Sequence, residues 1–227
     1  MVQVGLVTCA AGVPIIVDSL RGKSSRARCD AIIDRWSLAL CRGAKIQIEV
    51  AGGQHMQGDE AFVVVSNHQS HYDIPVLFQT YDKPLRMVAK RELFRVPVMG
   101  RAMRAAGFIE VDRGNHAQAI QSLGQAAQAL RSGTSIWIAP EGTRSPDGQL
   151  GPFKKGGFRM AMDAGVRILP VTIDGTRETL LPKTLKVTEG ARVRVTFSAP
   201  VDTRAFADAG VDALMQAVRA AIQQHLP

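Results

Sequence analysis

The chain has 227 residues, of which 46% are hydrophobic and 21% charged, so it is long enough for one well-buried domain and too short for two comfortable ones. Its 28 Lys and Arg exceed its 20 Asp and Glu, and the net charge of +8 indicates an anionic partner: nucleic acid, anionic lipid or a phosphorylated substrate. Only two Tyr and two Trp, beside eight Phe, are available to stack on bases, which argues against binding of single-stranded nucleic acid. We therefore do not expect nucleic acid as a partner. Cys9, Cys29 and Cys41 form no CxxC pair and no histidine stands at metal-ligand spacing, so we expect free thiols and no metal site.

The predicted elements begin with an apolar N-terminal stretch. Residues 4–17 are apolar or small and contain Pro14, but a membrane-spanning helix needs roughly twenty such residues. No Lys or Arg precedes the stretch, so a secretory signal is not predicted either. The stretch is therefore either a short helix lying in a membrane interface or a segment packed against the domain. Four basic residues follow between Arg21 and Arg28, and residues 25–41 carry the apolar stripe of an amphipathic helix.

The rest of the chain alternates between extended and helical patterns. We therefore divide it into an N-terminal helical, membrane-associating segment, residues 1–42, and a single α/β domain, residues 43–227. A largely parallel central sheet of about seven strands, covered by helices, is expected for that domain. The predicted strands are residues 45–50, 61–66, 85–89, 108–111, 135–139, 168–173 and 192–198, and the predicted helices are residues 72–81, 92–106, 117–131, 157–164 and 212–225.

Three polar clusters directly follow apolar strands. They are Asn67-His68, Asp112-Arg113 and residues 141–144. In a parallel sheet, the loops beyond the carboxyl ends of the strands meet at one edge, so the three clusters are expected to form one site.

His68 and Asp73 are the candidates for chemistry in that site. A histidine titrates near neutrality and can take a proton from a hydroxyl, and it works best when a carboxylate holds its far ring nitrogen. Asp73 lies in the first turn of the next predicted helix, from which it can reach back to His68. Two alternatives are open at this point: Asp73 only favours the helix N-terminus, or His71 is the base.

Residues 141–145, Glu-Gly-Thr-Arg-Ser, combine groups that hold a phosphate or an acidic head group. Gly142 permits close approach of the backbone, Thr143 supplies a hydroxyl, and Arg144 supplies a fork of donors. Glu141 fits such a site by binding a substrate hydroxyl or by positioning Arg144. A glycine-containing turn with a salt bridge is the structural alternative.

Arg113 follows a predicted strand, and Pro170 lies within one. Arg113 ends a strand with a guanidinium that can grip a phosphate, and an ion pair with Asp112 or Glu110 is the alternative. Pro170 interrupts an apolar strand. Because proline inside a strand is confined to edges, ends or bulges, Pro170 is expected to shape a wall of the site without chemistry of its own.

Together these clusters resemble the glycerolipid acyltransferases that carry an HxxxxD motif. The resemblance is closest to bacterial 1-acylglycerol-3-phosphate acyltransferases, whose second block carries Gly and Arg and whose third reads EGTRS. Asn67-His68 with Asp73 is similar to the first block of the family, residues 107–113 to the second, residues 141–145 to the third and residues 169–171 to the fourth, in the family's order.

The resemblance implies transfer of a fatty acyl group from acyl-CoA or acyl-carrier protein to the hydroxyl of a 1-acylglycerol-3-phosphate, giving phosphatidic acid, with no bound cofactor. The hydroxyl attacks the thioester directly. The same chemistry on another lyso-lipid acceptor is one alternative, and a non-catalytic lipid-binding module is another. By this resemblance His68 is the general base and Asp73 orients it. Pro170 helps to form an acyl channel. The phosphoglycerol part of the acceptor is bound by Arg113, Glu141, Gly142, Thr143 and Arg144.

A basic segment between Lys83 and Arg104 indicates a membrane surface. It holds seven Lys or Arg, one acidic residue, Glu92, and interleaved apolar residues. Each cation near an anionic bilayer contributes about 1 kcal/mol, so an anionic membrane surface is an expected partner. An acidic acyl-carrier protein, the phosphates of CoA and plain solvent are alternatives for the same side chains. We expect a peripheral or monotopic protein at the cytoplasmic face of a membrane.

Overall fold

A β-sheet forms the centre of the computed structural model, which describes residues 2–112, 116–180 and 186–227. Short runs rich in Val and Ile form its strands, and the central ones are buried on both faces, as is usual where helices cover both sides of a parallel sheet. The strands are β1 (Gln47–Ala51), β2 (Val63–Ser66), β3 (Leu85–Lys90), β4 (Ile109–Val111), β5 (Ser135–Ile138), β6 (Ile168–Asp174) and β7 (Arg192–Phe197).

Across the described residues the seven strands lie in the order β1-β7-β6-β2-β5-β3-β4. Neighbouring strands are parallel except for β6 and β7. Strands β6, β2, β5, β3 and β4 therefore run in one direction, and their carboxyl ends lie at one edge. The prediction of an α/β fold with a largely parallel sheet of about seven strands is confirmed.

Helices pack on both faces of the sheet because consecutive strand residues point to opposite faces. Val64 of β2 belongs to a core with helix residues such as Leu77, whereas Val63 and Val65 belong to a second core with residues such as Phe158. The helices are α1 (Val2–Leu20), α2 (Arg26–Gly43), α3 (Asp73–Thr80), α4 (Arg91–Phe94), α5 (Met99–Ala105), α6 (His116–Arg131), α7 (Gly156–Ala164), α8 (Thr176–Thr179) and α9 (Gly210–Gln223).

The structure contradicts the prediction of one continuous helix over residues 92–106. That segment contains two short helices, α4 and α5, with Pro97 and Val98 between them. Proline has no N–H for a helical hydrogen bond, and Val98 has a φ of 63°, outside the right-handed helical region. The turn brings Gly100 against the backbone of Phe94, where an added Cβ would lie 2.0 Å from the carbonyl oxygen, so glycine is required there.

Helix α1 packs against α2 and α5 through one face. Ile15 is buried in this contact, and Gly12 lies close to Ala102 of α5. The indole N–H of Trp36 in α2 donates to the hydroxyl of Thr8 at 3.1 Å. From its sequence, the N-terminal stretch is expected either to lie in a membrane interface or to pack against the domain. This face of α1 packs against the domain.

The opposite face of α1 is apolar and exposed. Leu6, Val13 and Leu20 are 65%, 49% and 83% exposed, and their spacing of seven residues places them in one line along the helix. No helix in the described parts of the chain combines the length and the apolar character needed to cross a membrane.

Candidate active site

The site begins at the carboxyl end of β2, where Asn67 fixes the chain. Its side-chain amide donates to the carbonyl of Ile173, and its side-chain oxygen accepts from the N–H of the same residue, both at 2.8 Å. The buried amide therefore continues the hydrogen bonding between β2 and β6 by one step after β2 has ended. His68 leaves the sheet from this fixed point.

The imidazole of His68 contacts the carboxylate of Asp73, with 2.7 Å between Nδ1 and Oδ2. Asp73 is fully buried at the start of α3, and the same oxygen accepts from the backbone N–H groups of Gln69 and Ser70 at 2.8 and 3.0 Å. Because a carboxylate accepts and does not donate, we assign the proton of the neutral ring to Nδ1, which leaves Nε2 as the basic nitrogen. The structure thus brings the two predicted residues together.

Thr176 completes the surroundings of Asp73, although the sequence-based prediction does not include it. Its buried hydroxyl donates to Oδ1, the carboxylate oxygen that His68 does not contact. Thr176 follows Gly175 just beyond the carboxyl end of β6, so its strand-end position is the signal that could have found it.

Trp137 of β5 packs edge-on against His68. The centroids of the two rings are 6.5 Å apart, and the ring planes are perpendicular. The indole N–H donates to the hydroxyl of Ser66 at 2.9 Å, and that hydroxyl donates to the carbonyl of Asn67 at 2.8 Å. Trp137 therefore limits the ring of His68 from one side while Asp73 holds it through Nδ1.

Glu141 is buried and joins two loops. Its Oε1 accepts from the backbone N–H of His68 and its Oε2 from the backbone N–H of Gly151, each at 2.9 Å. Burial raises the pKa of the Glu141 carboxyl, and the two backbone hydrogen bonds oppose that rise. In the structure Glu141 thus binds the main chain on both oxygens, and its contact with a substrate hydroxyl or with Arg144 stays a prediction.

A cleft of about 590 Å³ opens at the strand ends. His68, Gly142, Thr143 and Arg144 line it, so these four predicted residues come together. Gly142 has a φ of 73°, which glycine adopts without strain. Within the described ranges, no group of His, Cys, Asp and Glu side chains has an arrangement that could hold a metal ion.

A second cavity, of about 260 Å³, lies beneath the N-terminal helices. Apolar side chains from α1, α2, α3 and α5 form most of its wall, and Trp36 is among them. The cavity shares His71, Ile74, Met87 and Leu93 with the cleft, so the two spaces adjoin. A molecule with an apolar tail in the cavity would therefore have its polar end near His68.

His71 lies where the cleft and the apolar cavity meet. Desolvation by the surrounding protein lowers the pKa of His71, and the nearby charges of Arg144 and of protonated His68 lower it further. These effects favour the neutral form of the His71 imidazole. The carboxylate of Asp73 opposes these effects but lies against His68, which leaves His68 as the better candidate for the base.

The remaining predicted site residues are Arg113 and Pro170. Arg113 lies outside the described residues, and Asp112 before it lines the cleft. Pro170 is buried in the interior strand β6, and among the described residues that line the two cavities it does not appear. An interior strand tolerates this proline because β7 ends at Phe197 and the ladder is interrupted beside it, where the N–H of Ser198 donates to the Pro170 carbonyl at 2.9 Å.

Comparison with known proteins identifies the family. The family model described as Acyltransferase matches residues 47–174, more than half of the chain. The chain belongs to the acyltransferase family. The matched residues include strands β1 to β6 and contain His68, Asp73 and the turn that begins at Glu141.

Relatives within this family are similar over most of the chain. The 1-acyl-sn-glycerol-3-phosphate acyltransferase alpha of Mus musculus is 34% identical over 175 residues, which are 77% of this chain and 61% of the mouse protein. The chloroplastic 1-acyl-sn-glycerol-3-phosphate acyltransferase LPAT1 of Arabidopsis thaliana is 33% identical over 68% of this chain and 44% of its own length. The match with this chain therefore spans 61% of the mouse protein and 44% of the Arabidopsis protein, less than two thirds of either.

A solved structure matches nearly the whole fold. The crystal structure of the 1-acyl-sn-glycerophosphate (LPA) acyltransferase PlsC from Thermotoga maritima has a TM-score of 0.79 and 26% sequence identity to this chain. The match covers 98% of this chain and 94% of that one.

Proposed function

We propose that the protein transfers a fatty acyl group from acyl-CoA or acyl-carrier protein to the hydroxyl of 1-acylglycerol-3-phosphate, which gives phosphatidic acid. The observation that carries this proposal is the contact between His68 and the buried Asp73, beside both a polar cleft that Arg144 lines and an apolar cavity. The names of the relatives support the same acceptor.

In the proposed reaction the acceptor hydroxyl gives its proton to Nε2 of His68 as its oxygen attacks the thioester carbonyl carbon. Asp73 holds Nδ1–H and stabilises the imidazolium that forms. The tetrahedral intermediate then collapses, the carbon–sulfur bond breaks, and the proton on His68 passes to the leaving thiolate. Ester and free thiol are the products, and no step requires a bound metal or a redox cofactor.

Arg144 and the turn at Gly142 and Thr143 are the proposed ligands of the acceptor phosphate. A guanidinium binds a phosphate through two parallel hydrogen bonds, and the turn presents polar groups to the same cleft. Arg113 is proposed as a further ligand because it follows Asp112, which lines the cleft. A phosphate held there would leave the acceptor's hydroxyl end within the same cleft as His68.

The apolar cavity is the proposed site of an acyl chain. Its wall is formed largely by aliphatic and aromatic side chains, and it meets the cleft at His71. Burial of each methylene contributes about 0.8 kcal/mol, so even part of a fatty chain would bind strongly in such a space.

We also propose that the protein works at the cytoplasmic face of an anionic membrane. The exposed line of Leu6, Val13 and Leu20 on α1 supplies apolar side chains for the interface. The turn between α4 and α5 exposes Arg95 next to Val96, so it offers the membrane one cation and one apolar side chain. An acceptor with one fatty acyl chain would then reach the cleft from the bilayer, and a thioester donor from the cytoplasm.

The proposal is tested with the purified chain, acyl-CoA and acyl-carrier protein as donors, and a panel of lysophosphatidate, other lysophospholipids and a lyso-aminolipid as acceptors. Mass spectrometry of the lipids and release of free thiol are measured together. Equal amounts of thiol and phosphatidate are expected with lysophosphatidate. A preference for another lyso-lipid would replace the proposed acceptor, and thiol release without any lipid product would overturn the acyl transfer.

The role of His68 is tested by His68→Ala, with His225→Ala as the matched control because His225 is exposed at the end of α9. Loss of a general base is expected to reduce the rate by at least about 100-fold, while the control retains its activity. Circular dichroism and the denaturation midpoint of both variants separate loss of chemistry from loss of the fold. Full activity in His68→Ala would end the proposal.

A further inference from the structure

The carboxylate of Asp73 is held on both of its oxygens, and one of its partners comes from a distant part of the chain. Oδ2 accepts from His68 and from the backbone of Gln69 and Ser70, all within the same loop. Oδ1 accepts from the hydroxyl of Thr176, which is 103 residues away in the sequence. Both Asp73 and Thr176 are fully buried, so this hydrogen bond has no competition from bulk water.

We propose that Thr176 is a positioning residue for acyl transfer, whose hydroxyl fixes the carboxylate of Asp73 so that Oδ2 faces Nδ1 of His68. The proposal rests on the proposed function, in which His68 is the base. A carboxylate held only at Oδ2 can turn about its Cβ–Cγ bond, and each turn changes the direction in which it meets the imidazole. A donor at Oδ1 removes that freedom, because the two oxygens of a planar carboxylate move together.

The fold places Thr176 through two features at the end of β6. Asn67 binds both the N–H and the carbonyl of Ile173, so the end of β6 is tied to the residue that precedes His68. Gly175 then turns the chain with a φ of 94°, and an added Cβ there would lie 2.0 Å from the carbonyl oxygen of Arg192. Only glycine permits this turn, and Thr176 enters the site as the first residue of α8.

Burial alone does not explain this contact. Thr179 lies in the same short helix and is also fully buried, but its hydroxyl has no hydrogen-bond partner among the described residues. The two threonines therefore share residue type, helix and burial, and they differ in the contact with Asp73. This makes Thr179 a matched control for Thr176.

Three variants test the proposal by kinetics: Thr176→Val, Thr176→Ser and Thr179→Val. Valine keeps the shape of threonine and removes the hydroxyl, whereas serine keeps the hydroxyl. For Thr176→Val we expect kcat to fall about 10- to 100-fold, as for other groups that orient a functional side chain, with KM for both substrates within about twofold. Thr176→Ser and Thr179→Val are expected to stay within about threefold of the wild-type kcat.

A kcat of Thr176→Val close to that of Thr179→Val would overturn the proposal, as would a rise in KM with unchanged kcat. If Thr176→Val does not fold, Thr176→Ala with Thr179→Ala as its partner makes the same comparison, because alanine also removes the hydroxyl. Failure of Thr176→Ser to restore activity would likewise count against a role for the hydroxyl.

A second measurement does not depend on the acceptor. The chain has five histidines, so the ¹⁵N spectrum of the imidazoles can be assigned with His68→Ala as the reference. We expect His68 to carry its proton on Nδ1 in the wild type and in Thr179→Val, and to lose part of that tautomer in Thr176→Val. An unchanged His68 spectrum in Thr176→Val would reject the positioning role even if no acyl acceptor were found, whereas absence of product from the wild type would reject only the proposed function.

Discussion

Asp73 and Glu141 are both buried carboxylates that hold the loop at His68. Asp73 binds the ring of His68 through Nδ1, whereas Glu141 binds its backbone N–H and connects it to Gly151. A buried N–H or carboxylate oxygen that loses its partner costs more than the partnered hydrogen bond contributes. His68 is therefore held at two points by two carboxylates: Asp73 holds its ring, and Glu141 holds its main chain.

Glu141→Gln is expected to lower the free energy of unfolding by about 1–3 kcal/mol, because an amide has one oxygen and its NH₂ group would face one of the two backbone donors. Chemical denaturation measures this loss. Glu49→Gln is the control, since Glu49 is exposed in β1 and its pair with Arg194 at the surface contributes little. Equal stability of the two variants would contradict the bridging role of Glu141.

Arg144→Gln is expected to raise the pKa of His71. Desolvation remains in this variant, but the positive charge that disfavours protonation of His71 is removed, so His71 takes up a proton at higher pH. Titration followed by NMR of the histidine ring protons gives the shift, with Arg131→Gln as a control on a distant exposed residue. A titration of His71 that Arg144→Gln leaves unchanged would mean that the guanidinium does not act on this part of the cleft.

The sequence predicts His68, Asp73 and Arg144 because their residue types carry the chemistry and their positions after strands bring them together. Thr176 is harder to predict, since a single threonine becomes informative only when Asp73 lies beside it. The contacts of Glu141 are hidden for the same reason: they involve backbone N–H groups, which every residue except proline possesses. Residue type therefore predicts which side chains can do chemistry better than it predicts which side chains hold them in place.

At the scale of elements, hydrophobic periodicity predicts the strands and most of the helices because it records which face of each element is buried. It fails over residues 92–106, where apolar residues continue through Pro97 and Val98. Val98 has a positive φ, and its side chain lies close to Gly12 of α1, where an added Cβ would be 3.2 Å from it. A local pattern does not contain such a contact.

The exposed face of α1 is expected to contribute to membrane binding. Exchanging Leu6 and Val13 together for Ser should weaken partitioning onto vesicles of phosphatidylglycerol and phosphatidylethanolamine about tenfold or more, because each apolar side chain contributes on the order of 1 kcal/mol when it enters the interface. Vesicle sedimentation measures the bound fraction.

Val50→Ser is the matched control for that experiment, because Val50 is 50% exposed and Val13 is 49% exposed, but Val50 lies on β1 at the edge of the sheet. Its partitioning should equal that of the wild type. If Val50→Ser weakened partitioning as much as the double exchange of Leu6 and Val13, exposed apolar side chains would act wherever they lie, and α1 would lose its proposed role.

At the scale of the whole molecule, the net charge of +8 and the apolar face of α1 make different contributions to binding. Charge attraction between exposed groups is screened, and the Debye length falls from about 30 Å at about 0.01 M salt to about 3 Å at about 1 M. Burial of apolar surface is not weakened by the same change.

Binding to anionic vesicles is therefore expected to fall several-fold as NaCl rises from about 0.01 M to about 1 M. The bound fraction should then reach a plateau that is greater than zero. Binding to vesicles of neutral phosphatidylcholine should be weak and nearly independent of salt. Sedimentation at a series of salt concentrations gives both curves. If binding to anionic vesicles were lost completely at high salt, charge attraction alone would explain the binding, and the exposed apolar face of α1 would have no part in it.

The two tryptophans of the chain stand in different compartments: Trp137 packs against His68 in the cleft, and Trp36 lines the apolar cavity. The protein consequently contains two built-in optical probes. Trp36→Phe leaves an emission that responds to what enters beside the base, and Trp137→Phe leaves one that responds to what enters beneath the N-terminal helices. The order in which a head group and a fatty chain arrive can thus be followed in real time without any added label.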